Sequence, residues 1–468
     1  MNEQDLCYLP AVEMAKAIRE KRLSPVEITQ ALLQRIQAVN PKLNAYCTVT
    51  AEHALDEARR AEAAVMQGGP LGPLHGVPYS VKDLIVTQGV RTMRGSAIYE
   101  QFVPDEDAPT VERLRAAGGV MLGKTCTPEF GWKGMTDSPL TGITRNPWDL
   151  DRTPGGSSGG ASAQVAAGLG PLAIGTDGGG SIRIPSGFAG IFGIKPTYGR
   201  VPVYPPSAFD ALSHVGPMSR TVADAALMLS VLAGAHPADR FSLDAPPGDY
   251  LERLHEGIQG LKVAWSPDLG YAAVDQQVAA ITARAAQAFG ELGAHVEEVN
   301  PGWGDPTPIF MVFWKVGAAG MLGSYLARWA GRMDQGLVEV VVAGLSTPAL
   351  EFAQAQLARH QYCDKVRRFF QRYDLLLTPG LAVLPFQAGA PAPAEVNGRA
   401  LDWITWTPFT YPFNLAPNPA ASVPAGMSRE GLPVALQIVG PRLGDLRVLQ
   451  AAAAFEQARP WAQHRPTL

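Results

Sequence analysis

A chain of 468 residues, 46% hydrophobic and 18% charged, has the material for a large globular core. A net charge of −4, with no run of like charges, argues against a nucleic-acid partner. The first residues, Met1 to Asp5, lack the basic start and apolar core of a secretory signal. The most apolar stretches, such as 162–175, are too short and too interrupted by Gly and Pro to cross a bilayer. Four cysteines (Cys7, Cys47, Cys126, Cys363) stand far apart with no CxxC pair, so a reduced, cytoplasmic protein without structural zinc is expected.

In chain order, Ser24-Pro25-Val26-Glu27 reads as a capping box, with Ser24 as N-cap, Pro25 at the first helical position and Glu27 reaching back. Ile28, Leu32 and Ile36 then share one helical face. An N-terminal helical segment over about residues 1–65 is expected to pack on the remainder. From about residue 75 short apolar strands alternate with amphipathic helices. Residues 261–265, 275–292 and 295–299 form a β-α-β pattern; 434–439 is a further strand and 445–458 a helix. This alternation predicts an α/β fold with a buried, mainly parallel sheet. The stretch 378–398, rich in Pro, Gly and Ala, reads as a surface loop. Nothing resembles a long linker, so residues 1–468 are expected to form a single domain.

Two tracts are unlike ordinary loops: Gly155-Gly156-Ser157-Ser158-Gly159-Gly160, and Asp177-Gly178-Gly179-Gly180-Ser181. The first leads into an Ala-rich helical run and the second follows an apolar strand, which argues against a flexible linker. Glycines let a ligand approach the backbone closely, and several N–H groups ahead of a serine suit an oxyanion hole. The first tract also fits the G-x-S-x-G elbow, but its approach through Asn146 to Pro154 is turn-like. The late histidines, His360 and His464, sit in a charged helix and a tail, which disfavours a His-based triad. Residues 118–125 match the Walker A pattern by letter. Here, however, a helix comes before and the strand lies between the glycines, so ATP binding is not expected.

A serine nucleophile needs a base, and lysine is the next candidate after histidine. Lys82, in the strand-like Gly76-Val77-Pro78-Tyr79-Ser80-Val81-Lys82, would be carried inward, where burial depresses an amine's pKa. The alternative on spacing alone is a surface lysine paired to Asp83.

Together these segments resemble the amidase signature family. The similarity continues through Gly193-Ile194-Lys195-Pro196-Thr197, Val215-Gly216-Pro217-Met218-Ser219-Arg220-Thr221 and Gly431-Leu432-Pro433-Val434-Ala435-Leu436-Gln437, so it covers nearly the whole chain. The resemblance implies a Ser–cisSer–Lys triad, with Ser181 as nucleophile, Ser157 as the bridging serine on a cis peptide and Lys82 as base. It implies polar supports at Ser158, Asp177 and Arg183, and an oxyanion hole from the backbone of Gly178, Gly179, Gly180 and Ser181. One departure is Gly178, where the family commonly carries a side chain. The fold implied is a single α/β domain whose mixed, mainly parallel sheet carries helices on both faces.

The activity implied is hydrolysis of a small-molecule amide, and by the same chemistry a carbamate or ester, with no metal or organic cofactor. The chain would act as monomer or homodimer, with no membrane or nucleic-acid partner. The rival reading is the glutaminase component of a tRNA-dependent amidotransferase; a third is a non-catalytic scaffold. Aromatics at Trp403, Trp406, Phe409, Tyr411 and Phe413, and at Trp303, Phe310, Phe313 and Trp314, fit either a substrate pocket or ordinary core. Trp403, Trp406 and Phe409 are the pocket candidates.

Overall fold

The computed structural model describes residues 3–209, 212–244 and 248–468; Met1 and Asn2, part of the start read as lacking a signal, lie outside them. An eleven-stranded sheet runs in the spatial order Tyr46–Val49, Val120–Thr125, Pro78–Lys82, Leu172–Asp177, His214–Ser219, Phe192–Lys195, Ala420–Met427, Pro433–Val439, Leu375–Pro379, Lys262–Trp265 and His295–Glu298. Alternate side chains of a strand leave on opposite faces. Leu375 and Leu377 accordingly enter one large apolar cluster while Leu376 enters another, so a core lies on each side of the sheet.

The sheet is mixed, with its parallel pairings on the flanks. Pro78–Lys82 runs parallel to both Val120–Thr125 and Leu172–Asp177, and Lys262–Trp265 parallel to both Leu375–Pro379 and His295–Glu298. The central pairings and the Tyr46–Val49 edge are antiparallel. Neighbours such as Ala420–Met427 and Pro433–Val439 are joined by a short turn, which leaves no length for the crossover that a parallel pair requires. The β-α-β pattern holds, with helix Gln276–Glu291 between its two parallel strands.

Two local expectations are revised. The N-terminal segment carries helices Ala11–Arg19, Pro25–Leu43 and Ala51–Gln67, but between the last two it supplies the edge strand Tyr46–Val49. Ser24 does cap Pro25–Leu43, accepting from Val26 N–H at 3.0 Å and Glu27 N–H at 3.2 Å, while its hydroxyl donates to Glu62. The stretch 378–398 begins inside the core: Thr378 is in a strand, and Leu381, Ala382, Val383 and Phe386 are buried. Its later part, 387–395, is intermediate to exposed, as a surface loop would be.

The helical run Thr307–Arg332 is long and apolar enough, by length and composition alone, to cross a membrane. It is broken by a 3-10 turn at Gly323–Tyr325, and its first helix, Thr307–Leu322, buries Phe310 and Trp314 in the aromatic core.

Candidate active site

The carboxyl ends of the neighbouring parallel strands Pro78–Lys82 and Leu172–Asp177 bring Lys82 beside Thr176, the usual location of a site in such sheets. The two glycine–serine tracts meet there, tied by Ser158 N–H donating to Ser181 C=O at 3.2 Å. Close packing explains much of the first tract's glycine content. A Cβ on Gly156 would stand 2.4 Å from Met135 O, and one on Gly160 would stand 2.4 Å from Cys126 N. The Gly156–Ser157 peptide is cis.

Lys82 is completely buried and is not paired with Asp83. Its Nζ donates to Ser157 Oγ at 2.7 Å, Ser158 Oγ at 2.9 Å and Thr176 Oγ1 at 2.9 Å. Burial holds the Lys82 pKa well below the usual lysine range, and the nearby Asp177 charge only partly opposes this. Asp83 instead accepts from Met93 N–H at 3.1 Å, and burial pushes its pKa up to about 6.

Proton accounting narrows the direction of transfer to two hydroxyls. A neutral amine has two N–H donors and one lone pair, so with three oxygen neighbours one contact must be reversed. The Ser158 hydroxyl already donates to Thr176 C=O at 3.1 Å. Ser158 therefore accepts from Lys82, which leaves the lone pair for Ser157 or Thr176. Both hydroxyls line the cavity to which the nearly buried Ser181 opens, and Ser157 is the nearer of the two to the Lys82 amine, at 2.7 Å against 2.9 Å.

Asp177 organises the glycine loop. Its carboxylate accepts from Gly180 N–H at 2.8 Å and Ile182 N–H at 3.1 Å. Arg183 clamps it with two bonds at 3.0 and 2.9 Å, and Asn414 Nδ2 adds another at 2.8 Å. These partners hold the buried carboxyl well below the usual carboxylate range although burial opposes them. Arg183 also donates to Thr410 C=O and Gln437 Oε1, each at 2.8 Å, and Thr410 Oγ1 donates to Gly179 C=O at 2.7 Å. Because the Gly180 N–H is engaged by Asp177, the amides left for a ligand oxygen are those of Gly178, Gly179 and Ser181.

Gly178 is small for a visible reason: a Cβ there would meet the Trp314 ring at 3.1 Å. Trp314 stacks on Phe209 with centroids 4.4 Å apart and on Phe310 at 5.2 Å, forming an apolar wall beside the loop. Of the three aromatic pocket candidates, two do not reach the site. Trp406 and Phe409 are fully buried, Trp406 stacks on Phe188 at 5.7 Å, and neither lines the cavities beside Ser181. Trp403, partly exposed, does border a small cavity next to Ser181. Asn414, Thr410 and Gln437 are the contributors that motif reading misses as site residues, while Trp314 was offered there as either pocket or core. Gln437 left a trace, as a lone amide within the apolar strand Pro433–Val439. Among the described residues no group of three or more His, Cys, Asp or Glu is placed to hold a metal ion.

Comparison with known proteins identifies the family. The family model described as Amidase matches residues 27–449. An acylamidase of Rhodococcus erythropolis is 42% identical, covering 100% of this chain and 98% of that one. A glutamyl-tRNA(Gln) amidotransferase subunit of Moorella thermoacetica is 40% identical over 99% of each. Among solved structures, a bacterial aryl acylamidase of the amidase signature family superposes with a TM-score of 0.92 at 33% identity, covering 97% of both chains. A 6-aminohexanoate cyclic dimer hydrolase gives 0.90 at 32% identity, covering 98% of this chain and 99% of that one. The chain belongs to the amidase signature family.

Proposed function

We propose that the protein hydrolyses small-molecule amides through an acyl-enzyme on Ser181, with Ser157 and Lys82 relaying protons. The carrying observation is the buried Lys82 amine, 2.7 Å from Ser157 Oγ, its pKa depressed by burial. Neutral Lys82 takes a proton from Ser157, which takes one from Ser181 as it attacks the carbonyl carbon. The developing oxyanion receives the N–H groups of Gly178, Gly179 and Ser181, held in place by Asp177, Arg183 and Thr410. The proton returns through Ser157 to the departing amine, and water then releases the acyl group by the reverse relay. Nucleophile, base and acid all come from side chains, so the reaction takes place without a cofactor. Carbamates and esters present the same carbonyl to the same groups, and we include them as secondary substrates. We place the enzyme in the cytoplasm, acting on free small molecules.

The rival reading, a glutaminase working within an amidotransferase, is supported by the 40% identical relative from Moorella thermoacetica. Against it stands the apolar share of the cavity lining at Ser181, from Phe130, Phe209, Trp314 and Met321, beside which Arg94, Ser207 and His214 also line it. Purified protein offered acetanilides, carbamates, esters and glutamine should release aniline, and the Ser181→Ala variant should not. Ammonia from glutamine with no aniline from any anilide would replace the amidase reading with the glutaminase one.

A further inference from the structure

Of the described residues lining the cavity of about 160 Å3 at Ser181, two carry a formal charge, Asp177 and Arg94. The Asp177 charge is answered by the Arg183 clamp at 2.9 Å. His214, also in the lining, sets its Nδ1 against Leu212 C=O at 2.8 Å, and burial holds its pKa well below the usual histidine range, so it stays neutral. Arg94 is different. Among the described residues its guanidinium has no carboxylate and no hydrogen-bond acceptor, and its Nε is buried without a partner.

What holds this cation is aromatic. Its Cζ lies over the Tyr99 ring at 4.5 Å from the centroid and over Phe102 at 5.9 Å. Such rings attract the charge through their faces but offer no oxygen to the N–H groups. The backbone also presents it at a cost. Arg94 has φ +56°, and Phe130, which lines the same cavity, has φ +51°. Left-handed backbone is uncommon for residues of this size and collects at ligand sites. The two are tied together, Phe130 N–H donating to Arg94 C=O at 2.8 Å. Arg94 N–H donates in turn to Asp83 C=O at 3.0 Å, next in the chain to Lys82. An arginine that served only the fold would spend its donors on oxygens, as Arg183 does on Asp177, Thr410, Asn414 and Gln437.

An unanswered guanidinium in an otherwise apolar space is a receptor for an anion. A carboxylate fits it best, since the planar fork can meet both oxygens at once. We infer that this enzyme selects amides that carry a carboxylate at the end of an apolar arm, the arm lying against Leu84, Phe130 and Phe209 and the carboxylate received by Arg94. This rests on the amidase reading above and specifies the substrate class of that site. Among the described lining residues no free carboxylate answers an ammonium, because Asp177 is already clamped. The favoured substrates therefore bear a carboxylate without an amino group, unlike glutamine.

The test uses two pairs of substrates on the full chain, each pair matching a carboxylate with a neutral methyl ketone of the same shape. In the first pair the charge is on the amine half, 4-acetamidobenzoate against 4-acetamidoacetophenone. In the second it is on the acyl half, glutaryl-p-nitroanilide against 5-oxohexanoyl-p-nitroanilide. We expect wild-type kcat/KM to favour the carboxylate by about tenfold or more in at least one pair, and that pair identifies the half of the substrate lying beside Arg94. Arg94→Met should lower the carboxylate-to-ketone ratio in that pair by about tenfold or more, with the loss carried by KM. Arg94→Lys should keep part of the preference, because it retains the charge and not the fork. Reading the ratio within each variant removes any general loss of activity, whereas a purely structural arginine would depress kcat on both members alike. Ketones turned over as well as carboxylates by wild type in both pairs, or a ratio unmoved by Arg94→Met, would overturn the inference while leaving the amidase reading intact. No Ser181-dependent turnover of any amide would overturn that reading, and this inference with it.

Discussion

Replacing Lys82 with methionine keeps a linear side chain of similar length and removes only the amine. Three contacts disappear, to Ser157, Ser158 and Thr176 at 2.7 to 2.9 Å. For an anilide both halves of the relay are lost, proton removal from Ser181 and proton return to the amine. Positioned acid–base groups contribute about 10²–10⁴ in rate, or about 3–5 kcal/mol of barrier. We expect p-nitroacetanilide to suffer a loss of kcat/KM near the top of that range. The phenolate of p-nitrophenyl acetate leaves unaided, so only the base half is missing there and the loss should be about 10–10². The assay is the ratio of the two substrates in wild type and variant, followed spectrophotometrically across pH. In wild type the rate should rise with pH through an ionisation below the usual lysine range, since the base form is the working one. The limb should flatten in Lys82→Met. Stability supplies an independent sign. A lysine whose folded pKa is depressed binds its proton first in the unfolded chain, so wild type loses stability relative to Lys82→Met as pH falls. That loss begins at the unfolded lysine pKa of about 10.4 and stops growing below the folded one. Equal losses on both substrates with an unchanged pH limb would assign the base elsewhere.

Gly180→Ala should fold poorly and lose turnover, because Gly180 has φ +133° and a Cβ there would stand 2.4 Å from Thr410 Oγ1. Thermal melting and residual ester hydrolysis check this, with a stability loss of about 1–3 kcal/mol expected. Trp406→Ala should cost about 3–5 kcal/mol of stability by chemical denaturation, since the ring is fully buried against Phe188 and Phe386. Its folded fraction should retain the wild-type substrate ranking. Arg183→Met should destabilise by about 3–5 kcal/mol, leaving the Asp177 carboxylate buried without its clamp. That loss should shrink as pH falls far enough to protonate Asp177 in the variant. A melting temperature equal to wild type would mean that Arg183 does not support the loop.

The proposed triad was legible because its chemistry lies in short, dense segments. Lys82, Ser157 and Ser181 each stand in a stretch whose residue types make little sense as surface loop. The rest of the site is assembled by sheet pairing, which local sequence does not display. Thr410 and Gln437 reach Arg183 across 227 and 254 residues, and only the amide of Gln437 in an apolar strand marks its position beforehand. Trp403 and Trp406 were indistinguishable as letters, because both a core and a substrate wall select large aromatics. They separate only when Trp406 is seen stacked on Phe188 and Trp403 at the edge of a cavity. The parallel flank of Lys262–Trp265 and His295–Glu298 was legible in the helix-length spacing between those strands. The antiparallel centre was not, since Phe192–Lys195 and Ala420–Met427 are neighbours in space and far apart in the chain.

The most direct measurement of the central claim is the site of covalent capture. Wild-type protein treated with a fluorophosphonate should lose amidase and esterase activity together, and peptide mapping by mass spectrometry should place one adduct on Ser181. Lys82→Met should label far more slowly at the same serine, and Ser181→Ala should not label at all while melting as a folded protein. An adduct on Ser157 or Ser158, or full labelling of Ser181→Ala, would contradict the account.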